Sequence, residues 1–63
     1  MRINVASNEY LANKFLGEIA SATSLEELNA IDRRMDKHCR LGTLTWGTWN
    51  NVHAIWSQRY FSL

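Results

Sequence analysis

The sequence contains no proline, a single cysteine (Cys39) and only three glycines, Gly17, Gly42 and Gly47. Without proline no stretch is barred from a helix interior, so breaks must come from caps, glycine and the rhythm of apolar residues. One cysteine cannot close an intrachain disulfide, and a lone thiol with no framework of spacings fits a reducing compartment, so a cytoplasmic location is expected. Long apolar runs are also missing. No window approaches the roughly 18 uninterrupted apolar residues of a membrane-spanning helix, and residues 1–9 lack the apolar stretch of a secretory signal; no membrane partner is expected. An excess of one charge is the last absence. Seven Lys and Arg face six Asp and Glu, a net charge of +1, which is too balanced for binding a polyanion through bulk charge.

What is present is a foldable chain: 46% of its 63 residues are apolar, which argues against a disordered tail. This length makes at most one domain, here 1–63, and buries only about 60% of the surface the unfolded chain exposes. Small scaffolds add disulfides, a metal or oligomerisation to so thin a core. With a disulfide excluded, self-association is expected, most simply as a homodimer.

Apolar spacing and caps place three helices, over about 8–22, 24–41 and 46–61, so the predicted class is all-α: an N-terminal helix followed by an antiparallel helical hairpin. Ser7 or Asn8 is expected to cap the first helix, with Glu9 in its first turn. Leu11, Phe15, Ile19 and Ala22 form its apolar face, widened by Ala12 and Leu16, and Gly17 is placed to allow close approach of another helix. Both Thr23-x-x-Glu26 and Ser24-x-x-Glu27 fit a capping box at the start of the second helix. Its apolar face is Leu25, Leu28, Ile31 and Met35, and Gly42 is expected as the left-handed residue that ends it. Thr45 caps the third helix, with Leu44 and Trp49 forming a hydrophobic staple. Trp49, Val52, Trp56 and Leu63, with Ile55 alongside, make one apolar face of that helix, and Trp46, Asn50, His53 and Tyr60 fall on its neighbour. A minor alternative reads residues 44–49 as a strand, since Thr and Trp favour strands.

Three tryptophans, Trp46, Trp49 and Trp56, fall within eleven residues, more than a small core encloses comfortably. Trp49 and Trp56, seven residues apart, read first as core. Trp46, on the other face, is the preferred exposed anchor, because Trp, Tyr and Arg dominate interface hot spots. Tyr60, Phe61 and Leu63 crowd the last turn and must complete the core or meet another chain. The predicted protein-binding residues are therefore Trp46, Trp49, His53, Trp56, Tyr60 and Phe61, and the expected partner is a larger protein that the chain modulates or inhibits, as small accessory regulators of phages and mobile elements do.

Arg33, Arg34, Lys37 and Arg40 form the one basic cluster and the alternative site, for nucleic acid. Asp32 and Asp36 interleave with them, so a solvated, ion-paired face is the plainer reading. No metal or other cofactor is expected. His38, Cys39 and His53 are the candidate ligands; a structural zinc needs four and a catalytic one three plus water, and neighbours such as His38 and Cys39 point about 100° apart on a helix, a poor geometry for either. No catalytic residue is assigned, since Cys39 or Ser57 beside His53 would require an orienting acid and an oxyanion pocket, and no nucleophile motif or glycine-rich phosphate loop is present.

Leu28-x-x-Ile31-Asp32-x-x-Met35, then Leu41-Gly42-Thr43-Leu44-Thr45 and Trp49-x-x-Val52, resembles the helical hairpins of short oligomerisation domains of the SHOCT type, although no acidic residue follows the capping Thr45. The pattern from Tyr10-Leu11 to Ser24-Leu25-Glu26 is similar to small helical nucleoid modulators of the Hha/YmoA kind, which act by binding another protein. Both resemblances rest on helix punctuation, and neither function nor site residues are carried over from them.

Overall fold

The helix boundaries between residues 22 and 48 follow from a few local hydrogen bonds. The computed structural model describes residues 5–63 as three helices of 17 residues each: α1 (Val5–Ser21), α2 (Leu25–Leu41) and α3 (Trp46–Ser62). Ser24 caps α2, its hydroxyl accepting from the Glu27 amide at 3.2 Å. Glu27 reaches back one residue further than the capping box requires and accepts the Thr23 amide at 2.9 Å. At the other end Gly42 takes up φ 83°; its amide donates to the Cys39 carbonyl and the Thr43 amide to the His38 carbonyl at 3.0 Å. That is the Schellman arrangement, which supplies donors to two of the carbonyls a helix end leaves free. Three residues later Thr45 accepts from the Thr48 amide and starts α3, so residues 44–49 open a capped helix, and no strand forms among the described residues.

The start of α1 departs from the expectation. The helix already includes Val5, so Ser7 and Asn8 lie inside it and Glu9 is outside its first turn. Asn8 is used across the fold instead: its Oδ1 accepts the Thr45 amide at 2.9 Å and its Nδ2 donates to Thr48 Oγ1 at 2.9 Å. A side chain that reads as a local cap in sequence thus ties α1 to the first turn of α3.

The core is Leu11, Phe15, Ile19 and Ala22 from the α1 side, Leu28, Ile31, Met35 and Cys39 from α2, Leu44 from the connection and Val52 from α3. The α1 face is the predicted one, with Ala12 and Leu16 packed at its edge. Three expectations fail at the margins. Leu25 is exposed, because it is the first residue of α2 and sits beyond the packed layer. Ile55 and Leu63 are also exposed, since the fully buried arc of α3 is narrow and centred on Val52. Gly17 faces solvent, and an added Cβ there would meet nothing within 4 Å, so none of the described helices approaches it. The three helices pack on one another as an elongated bundle, 36 × 16 × 15 Å, in which α1 packs within the chain.

Two long-range bonds close the bundle at α3. Trp56 Nε1 donates to the Leu28 carbonyl at 2.6 Å, and Arg59 donates to the Ala22 carbonyl at 2.7 Å, giving a partner to a carbonyl just beyond the end of α1. Arg59 is thereby turned inward.

Candidate protein-binding site

Side chains three and four positions apart on a helix are neighbours, and α3 repeats aromatic rings at that spacing. Trp46 meets Trp49 edge-to-face, with centroids 5.6 Å apart at 68°. Trp49 stacks on His53 at 4.4 Å and 14°, His53 on Trp56 at 4.7 Å and 18°, and Trp56 on Tyr60 at 5.1 Å and 24°. Tyr60 then meets Phe61 edge-to-face at 5.6 Å and 84°. The six predicted binding residues form one continuous ladder with an imidazole held flat between two indoles. Spacing alone divides five of them between two faces, Trp49 and Trp56 on one and Trp46, His53 and Tyr60 on the other. They merge because the rings are wide and the spacing of 3, 4, 3 and 4 residues from Trp46 to Tyr60 keeps them within one stripe of the helix.

Burial grades along the ladder. Trp49, Trp56 and Tyr60 are half-buried against the core, while Trp46 is 52% exposed and Phe61 86% exposed. The middle rungs lean toward α2. Trp56 bonds the Leu28 carbonyl there, and His53 Nε2 lies 3.2 Å from Asp32 Oδ1. Trp49 Nε1 is buried without a hydrogen-bond partner among the described residues. Tyr60 therefore helps complete the core, whereas Phe61 does not.

The basic cluster is dispersed rather than focused. Arg34 pairs with Glu18 of α1 and lies over the Phe15 ring, 6.0 Å from its centroid. Arg40 pairs with Asp36 at 2.9 Å. Arg33 and Lys37 are exposed, with no ion pair among the described residues. Two of four cations are thus committed, and the face does not present the unbroken positive row that tracks phosphates.

Cys39 is buried, its Sγ 3.9 Å from the Thr45 carbonyl. Burial, and secondarily the charge of Asp36, pushes its thiol above the ordinary value, the opposite of an activated thiolate. His38 is engaged elsewhere, its Nδ1 2.8 Å from Thr43 Oγ1. No three His, Cys, Asp or Glu side chains among the described residues are grouped to hold a metal, and no described helix is long and apolar enough to cross a membrane.

Sequence reasoning missed Asn8 and Arg59, whose partners lie 37 to 40 residues away. Arg59 carried one faint signal: it is the single charged residue of α3. No family model, no characterised protein and no solved structure matches this chain.

Proposed function

We propose that this protein is a non-catalytic binding module that attaches to a larger protein through α3 and modulates or blocks it. The observation that carries this reading is the aromatic ladder, whose middle rungs are anchored in the fold and whose end rungs, Trp46 and Phe61, stand out from it. Rings fixed by their neighbours lose little conformational freedom on binding, which is the property of good interface anchors. A buried, protonated Cys39 is compatible with work in a reducing cytoplasm, and the reading requires no cofactor.

The test is a comparison of captured partners. Trp46→Ala and Phe61→Ala remove exposed side chains, so the helical spectrum should be retained while the larger protein held by the unaltered chain is released. Lys37→Ala on α2 should still hold it. Capture of the same protein by all three variants would show that α3 is not the binding surface.

A further inference from the structure

The exposed side of α3 carries no charge. Of the thirteen charged residues in the chain, seven basic and six acidic, only Arg59 lies in α3, and its guanidinium is drawn inward to the Ala22 carbonyl. From Trp46 to Ser62 the solvent-facing arc is built of Trp46, Asn50, Ala54, Gln58, Phe61 and equally uncharged neighbours. The exposed sides of α1 and α2, by contrast, carry Glu9, Lys14, Glu26, Arg33, Lys37 and others. Depletion of charge with enrichment of aromatic rings marks the centre of interfaces rather than open surface.

From this face we infer that α3 pairs with α3 of a second copy of this chain, antiparallel, about a two-fold axis. The midpoint between Trp46 and Phe61 falls between His53 and Ala54. An antiparallel partner therefore sets Trp46 against Phe61, Asn50 against Ser57 as a neutral hydrogen-bonding pair, and Ala54 close to the axis.

An isologous contact places a patch against itself, and an uncharged patch meets its copy without repulsion. A basic or acidic larger partner has no counter-charge here to recognise, and a helix that lies on a lipid surface presents Lys and Arg along its polar face, which this arc lacks. The area suffices for a modest dimer. Trp46 and Phe61 alone leave roughly 300 Å² of aromatic surface exposed per copy, and with their neighbours the pair covers on the order of 1,000 Å², the lower end of specific interfaces. A dissociation constant in the micromolar range is expected. The inference does not rest on the larger partner; it adds that such a partner and the second copy compete for α3.

The experiment is sedimentation equilibrium on the whole chain from about 1 to 500 μM, a span that brackets a micromolar constant. A reversible monomer–dimer equilibrium is expected. Ala54→Lys places two ammonium groups near the axis at an exposed position and should weaken the dimer by about 100-fold or more with helicity unchanged. Asn29→Lys, exposed on α2, should leave it intact. Register is read by cross-linking: a mixture of Asn50→Cys and Ser57→Cys chains forms the linked heterodimer faster than either variant links to itself. A chain monomeric throughout the range, equal dimerisation by Ala54→Lys, or Asn50→Cys linking fastest to itself overturns the inference. Release of the larger protein by Trp46→Ala can succeed or fail independently of these outcomes, so the two readings stand or fall separately.

Discussion

Trp49 and Trp56 offer a test of the ladder in which two identical substitutions should have unlike effects. Both are half-buried against the core, and both stack on His53. Each has one further ring neighbour, Trp46 for Trp49 and Tyr60 for Trp56, and the polar difference lies at the indole nitrogen: Trp56 Nε1 donates to the Leu28 carbonyl at 2.6 Å, whereas Trp49 Nε1 is buried with no hydrogen-bond partner among the described residues. Phenylalanine at either site gives up a similar area of apolar contact, on the order of 1 kcal/mol. At position 56 the lost hydrogen bond adds about 0.5–1.5 kcal/mol, and no more, because a carbonyl inside α2 keeps its intrahelical donor. At position 49 the change removes a desolvated donor whose cost is about 1–3 kcal/mol, which offsets the lost contact. Trp56→Phe should therefore destabilise by roughly 2 kcal/mol while Trp49→Phe is near neutral or stabilising. Urea unfolding followed by far-ultraviolet circular dichroism measures this without relying on the altered fluorophores. It should be run at one fixed protein concentration, since self-association adds to apparent stability. Equal losses in the two variants, or a greater loss for Trp49→Phe, would refute the reasoning.

Three further outcomes are expected. Gly17→Ala should stabilise the fold by up to about 1 kcal/mol, because the position is an open helix surface, whereas Gly42→Ala should cost about 1–2 kcal/mol for its left-handed backbone; thermal midpoints of the pair should move in opposite directions. Asn8→Ala removes both bonds from α1 to the start of α3 and should destabilise by about 1–3 kcal/mol, with hydrogen exchange at Thr45 accelerated more than at Leu28. Cys39 should react with a thiol-specific disulfide reagent far more slowly in the folded chain than in urea. Because its thiol is shifted upward on folding, the unfolded thiol ionises first. Stability should then fall as pH rises past the ordinary thiol range, about 8.5, and a Cys39→Ala variant should lose that component of the pH dependence.

The sequence by itself determined the elements of this protein. Ser24 with Glu27, Gly42, and Thr45 with Thr48 act over three or four residues, so their chemistry is complete within a single turn and can be read directly. The same holds for Leu11, Phe15 and Ile19, whose spacing is that of one helix face. The tertiary structure decided what each helix face meets. Asn8 was drawn from cap to cross-brace, Arg59 was turned from surface to the end of α1, Leu25 and Ile55 were left in water, and two expected faces of α3 became one ladder. Those outcomes depend on how the helices are rotated about their own axes when they pack, with partners 28 to 40 residues apart. A helix encodes its own periodicity, but its rotation against its neighbours is set only when all three bury their apolar stripes together.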